Sequence, residues 1–95
     1  SSDDLVDNTV EQWQHLGFQQ TLFQQYVPIL GDLWPDIKKG DELALQIKPN
    51  KSIFYLNNKY LGSVEDKNFG QLFIDIWLSE KTSQPELRRQ LLGQN

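Results

Sequence analysis

The 95-residue chain has no cysteine. That excludes disulfides, thiolate nucleophiles and Cys-ligated zinc, and it fits either a reducing compartment or an export route that avoids thiols. Basic residues are scarce: nine Lys and Arg stand against thirteen Asp and Glu, for a formal net charge of −4. Nucleic acid is excluded as a partner, since a binder needs a concentrated positive field to displace counterions, and Lys38 with Lys39 and Arg88 with Arg89 are pairs, not a stripe. No run of about 20 apolar residues exists for a membrane span, and no charged-then-apolar leader stands at the front. The first residue is Ser1 instead of Met, as expected of a processed product or an excised segment. Histidine occurs once, at His15, too isolated for a triad or a metal cluster and best read as a solvated side chain at a helix end.

What the chain does have is 38% apolar residues and eleven aromatics, three of them Trp. That is enough for the core of one globular domain, although a chain of this size buries only about 60–65% of its unfolded surface and its stability margin is thin.

Apolar spacing sets the expected elements. Over 3–16, Leu5, Thr9, Trp13 and Leu16 recur at helical spacing with acids in the first turn, and Gly17 offers the left-handed residue that ends a helix. Over 19–34, Leu22, Phe23, Tyr26, Leu30 and Leu33 keep the helical period, interrupted by Pro28 and Gly31, which predicts one bent helix. The connector "PDIKKGD" changes the period to two. Leu43, Leu45 and Ile47 then share one face of a strand, and "IFYLNNKYLGSV" reads as a hairpin whose Asn57 and Asn58 tolerate the positive φ of a tight primed turn. Asp66 is placed to cap a helix over "KNFGQLFIDIWL", whose Phe69, Leu72, Phe73, Ile76 and Trp77 cover a face too broad to be left in water. A last helix is expected after a break at Ser79 to Thr82. Ser83, Pro85 and Glu86 would form its capping box, Leu87 and Leu91 would face inward beside Leu92, Arg88 and Arg89 would face solvent, and Gly93 would end it. The sum is an α+β fold with a three-stranded antiparallel sheet packed on helices. Both edges of so small a sheet are open, so a second copy of the chain or an upstream segment is expected to complete it.

No catalytic constellation emerges from the residues. Asp3, Asp4, Asp7 and Glu11 read as a solvated acidic face, because hard-ion sites draw oxygens from several loop positions, and no metal or cofactor is expected. "DIKKGD" lacks a glycine-rich phosphate loop and reads as a plain turn. Ser63 has neither a nucleophile elbow nor a nearby base. Without a nucleophile, base and orienter, binding is favoured over catalysis, and the aromatic residues are left as candidate lining of an apolar pocket whose alternative is ordinary core packing.

The series "NTVEQWQHLG", "IKKGDELALQI", "FYLNNKYLGSVED", "FGQLFIDIWLS" and "QPELRRQLLG" resembles the carboxy-terminal half of the chalcone isomerase-like family over nearly the whole chain. "GD" before the first strand, "IWL" and the closing "LLG" are similar to the exported bacterial branch. The resemblance implies half of an open-faced β-sandwich with a hydrophobic cleft between sheet and helices, in a domain about twice this length, and a periplasmic or secreted location. Active plant members cyclise a chalcone by conjugate addition, and their helix here carries Tyr, then Lys three on, then Asn four further on, before a Trp. Aligned on Trp13, the Asn is retained as Asn8, but the Lys position holds Asp4 and the Tyr position holds Ser1. A carboxylate in place of a cation reverses the field that stabilises a developing oxyanion. A polar cleft residue of those enzymes aligns near Ile76 and Trp77, both apolar, and their catalytic Arg would lie upstream. Non-catalytic relatives resemble fatty-acid carriers, in which an upstream Arg and a Tyr hold the carboxylate.

The expectation is therefore a non-catalytic, bacterial, periplasmic or secreted domain that binds a fatty acid or similar hydrophobic small molecule. Asn8, Trp13, Phe69, Phe73, Ile76 and Trp77 are the candidate ligand contacts, and Asn8 is the one retained catalytic-family position. The alternatives are a chalcone-type intramolecular lyase and a protein-interaction module that docks a partner strand on an open sheet edge.

Overall fold

The computed structural model describes residues 2–77 and 86–91, with side chains over 4–76. The chain divides into two compact units, Ser1–Ile37 and Lys38–Asn95.

The first unit is helical. Helix α1 spans Ser2–His15. Gly17 ends it at φ 87°, and the amides of Phe18 and Gly17 donate to the carbonyls of Trp13 and Gln14, each at 3.0 Å. These paired bonds satisfy carbonyls that the helix leaves open, and only glycine adopts that φ cheaply. Leu5, Thr9 and Trp13 are buried as their spacing predicts, whereas Leu16 is 41% exposed because the helix has already ended at His15. The single bent helix expected over 19–34 is instead two helices, α2 (Gln20–Phe23) and α3 (Tyr26–Leu33). The break falls at Gln24 and Gln25, ahead of Pro28, which thereby sits in the first turn of α3 where its missing N–H costs no helical bond. Gly31 lies inside α3 and breaks nothing. Phe23, Tyr26 and Leu30 are buried, while Leu22 is 51% exposed.

The second unit begins with three antiparallel strands, β1 (Glu42–Ile47), β2 (Ser52–Leu56) and β3 (Lys59–Val64). Asn57 and Asn58 turn β2 into β3 at φ 51° and 70°, the positive values that a two-residue primed turn requires. The register slips between Phe54, opposite Gly62, and Tyr55, opposite Tyr60, so that Leu61 is an extra residue on β3. Leu43, Leu45, Phe54 and Val64 are buried on one face of this sheet.

Helix α4 (Phe69–Trp77) covers that face. Asp66 caps it by accepting from the Asn68 amide at 2.7 Å. Phe69, Phe73, Ile74 and Ile76 are buried, as the breadth of the apolar face predicts, and Gln71 and Asp75 pair on the exposed side at 2.7 Å. Gly70 lets the helix come close. A Cβ there would meet Ser52 Oγ at 3.0 Å and Ile47 Cγ2 at 3.3 Å. Gly70→Ala is expected to destabilise by about 0–2 kcal/mol in urea unfolding, since overpacking costs about 1–3 kcal/mol and the helix-propensity gain offsets about 1 kcal/mol of it.

The terminal segment differs most from expectation. Glu86–Leu91 is a strand, β4, not a helix, and it pairs in parallel with β1 from Glu42 opposite Glu86 to Ile47 opposite Leu91, giving the order β3-β2-β1-β4. The free amides and carbonyls along the β1 edge reward an extended partner more than local helical propensity rewards a helix. The chain itself therefore supplies the partner for one of the two edges expected to be open. Of the expected break and caps, Ser79 to Thr82, Ser83, Pro85, Leu92 and Gly93 lie outside the described residues.

Candidate functional site

Each unit holds its own set of candidate contacts. In the first, the buried side of α1 carries Leu5, Thr9 and Trp13 one turn apart. The Thr9 hydroxyl donates back to the Leu5 carbonyl at 2.8 Å, which satisfies the buried hydroxyl within the helix. The Trp13 ring stacks on Phe23 with centroids 5.2 Å apart, fixing α2 against α1. Asn8 is half-buried, and Gln12 follows it one turn later. The Oε1 of Gln12 is buried and accepts no hydrogen bond. Asp4 and His15 are both exposed.

In the second unit, Phe69 and Phe73 stack at 5.4 Å along α4, and both meet the strand residue Phe54 edge-on, at 6.0 and 5.3 Å. Ile76 is buried on the same helix, and Trp77 is its last residue, with a side chain outside those described. Of the six predicted contacts, Phe69 and Phe73 are thus brought together within one unit, around Phe54. Phe54 had only its place in the apolar run of a strand to mark it. Gln12 was missed, although it stands four residues from Asn8 and so shares its side of the helix.

The "GD" and "NN" signatures form a clasp between two turns. Asp41 accepts from the Lys38 amide at 2.8 Å through one carboxylate oxygen and from Asn57 Nδ2 at 3.1 Å through the other. Asn57 Oδ1 accepts from the Glu42 amide at 2.9 Å, and the Asn57 amide donates to the Glu42 carbonyl at 2.8 Å. Gly40, at φ 99°, allows the turn that brings Asp41 back to the Lys38 amide. With its oxygen on the Lys38 amide, this turn is a structural joint, in agreement with the plain-turn reading.

The amide of Lys38, then the side chain of Asn57, holds the Asp41 carboxyl below its ordinary value of 3.8. A lowered folded-state value means that the contribution to stability is complete above the ordinary value and is lost as pH falls through the folded one. The stability difference between the natural chain and Asp41→Asn is therefore expected to be constant at neutral pH and to shrink below about pH 4. Parallel denaturation curves across that range check it. Asn57 has two roles that substitution separates. Asn57→Gly keeps the turn but loses the side-chain bonds, whereas Asn57→Ala also places a Cβ in the left-handed region and is expected to cost about 1 kcal/mol more.

Ser63 donates to the Glu65 carboxylate, and no group of three or more His, Asp or Glu residues is arranged for a metal ion among the described residues. Among those residues, too, no helix is long and apolar enough to cross a membrane. The family model described as chalcone isomerase-like matches residues 2–93. The chain belongs to the chalcone isomerase-like family. No curated protein and no solved structure matches it. As a chalcone isomerase-like chain it has the α+β arrangement expected of it, with α4 packed on one face of the antiparallel strands β1 to β3.

Proposed function

We propose that this chalcone isomerase-like chain binds a fatty acid or similar hydrophobic small molecule and does not catalyse cyclisation. The observation that carries the second half is the charge on α1: Asp4 is exposed one turn before Asn8, at the position where the resemblance implies Lys. Conjugate addition develops an oxyanion, and a carboxylate beside it raises the barrier that a cation would lower. The first half is supported by family membership and by the apolar character of the candidate contacts Trp13 on α1 and Phe69, Phe73, Ile76 and Trp77 on α4, with Asn8 on α1 as their polar member. A bacterial source and a periplasmic or secreted location belong to the same proposal.

Two assays test it. Delipidated protein is expected to take up fatty acid in calorimetry, and no uptake would contradict the proposal. Absorbance of a chalcone substrate is expected to stay constant, and a decay abolished by Asn8→Ala would establish the isomerase instead. One observation favours a second reading as an interaction module: among the described residues β3 is at the margin of the sheet, so its backbone is placed to receive a partner strand. A mass in solution that stays monomeric at all concentrations would count against self-pairing there.

A further inference from the structure

Gln12 and the charge distribution bear on the polar end of the molecule whose uptake is proposed above. The Oε1 of Gln12 is buried without a hydrogen bond. A buried acceptor left unpaired carries a desolvation cost that a donor removes. Thr9, the nearest buried hydroxyl along the helix, has its proton committed to the Leu5 carbonyl. The charges are also divided unevenly along the chain. Residues 1–37 hold six Asp and Glu and no Lys or Arg, whereas residues 38–95 hold seven acids and all nine bases, which together give the −4 of the whole. Asp4, Asp7 and Glu11, on the same helix as Gln12, are exposed.

We infer that the head group received beside Gln12 is an uncharged hydrogen-bond donor, such as the hydroxyl of a fatty alcohol, in preference to a carboxylate. A hydroxyl supplies the proton that Oε1 lacks. An ionised carboxylate has only acceptors, so it would set lone pairs against lone pairs at Gln12 and bring a negative charge to a unit that offers no Lys or Arg. Asn8, one turn earlier and half-buried, presents a second amide to the same side of the helix. This preference rests on the uptake of apolar molecules proposed above and goes beyond it by naming the head group.

The test is calorimetric titration of the delipidated chain with decanol and with decanoate at neutral pH, repeated on Gln12→Met, which keeps the length and flexibility of the side chain and removes its amide. Decanol is expected to bind about tenfold or more tightly than decanoate, the factor associated with satisfying a buried acceptor, and Gln12→Met is expected to abolish most of that difference. Without ligand, Gln12→Met is expected to be as stable as the natural chain or more so, because the variant buries no unpaired oxygen. Decanoate binding as tightly as decanol, or a preference unchanged in Gln12→Met, would overturn the head-group assignment while leaving apolar uptake standing. Failure of the natural chain to bind either compound would overturn both. Destabilisation of the free Gln12→Met protein would show that the amide is already bonded, and would overturn the assignment independently of any ligand.

Discussion

Phe54→Ala is expected to destabilise the protein by about 3–5 kcal/mol, the usual cost of truncating a fully buried aromatic. Its ring is inaccessible to solvent and packs edge-on against both Phe69 and Phe73, so truncation leaves two rings of α4 facing a void. Domains are stable by only about 5–15 kcal/mol in total, so the variant should unfold at much lower urea or fail to accumulate folded at all. Phe54→Leu retains much of the volume and is expected to lose less, which separates lost volume from lost aromatic geometry. A double-mutant cycle with Phe73→Leu should leave a coupling of about 0.5–1.5 kcal/mol, and additive losses would show that the edge-to-face contact adds nothing beyond burial.

Trp13→Ala carries the other large effect, again about 3–5 kcal/mol. Trp13 is fully buried, and its ring covers Phe23, the one buried side chain of the four-residue helix α2. A helix that short has no stability of its own in water. Removing the indole is therefore expected to melt α2 along with the local packing, seen as increased amide exchange from Gln20 to Phe23 beyond that at α4. Trp13→Phe should keep α2 formed at a smaller cost. Equal exchange in both variants would mean that α2 is held by something other than this stacked pair.

The parts of the fold legible in sequence were those where local chemistry and final packing agree. Leu5, Thr9 and Trp13 follow a helical period that ends at Gly17, and the structure buries that stripe and gives Gly17 its positive φ. Asn57 and Asn58 take the backbone values that their side chains tolerate best, and Asp66 caps the helix that follows it. The end of the chain was not legible because Leu87 and Leu91 are four apart, a spacing that suits one helical face and, being even, one strand face too. Long-range pairing with β1 decides between them, and nothing within residues 86–91 announces that partner. Pro28 predicts a bend within one helix, but proline also fits the first turn of a new helix, and the chain breaks upstream of it at Gln24 and Gln25.

The candidate contacts divide along the same line. The burial of Phe69, Phe73 and Ile76 was legible because an apolar face that wide must be enclosed. Phe54, between Ile53 and Tyr55 in an apolar run, gave no sign that it would be the residue both rings meet. Gln12 reads in sequence as an ordinary polar helix position. Only the three-dimensional burial of one of its two amide atoms makes it informative.

Uptake of an apolar molecule without chemistry is tested most directly by native mass spectrometry of the delipidated chain after incubation with a fatty acid, decanol and a chalcone substrate, with the chalcone also followed by its absorbance because cyclisation leaves its mass unchanged. The predicted spectrum shows a saturable one-to-one adduct with a lipid, and chalcone recovered unchanged. The bare protein mass under all three conditions, or conversion of chalcone to its cyclised isomer, would contradict the account.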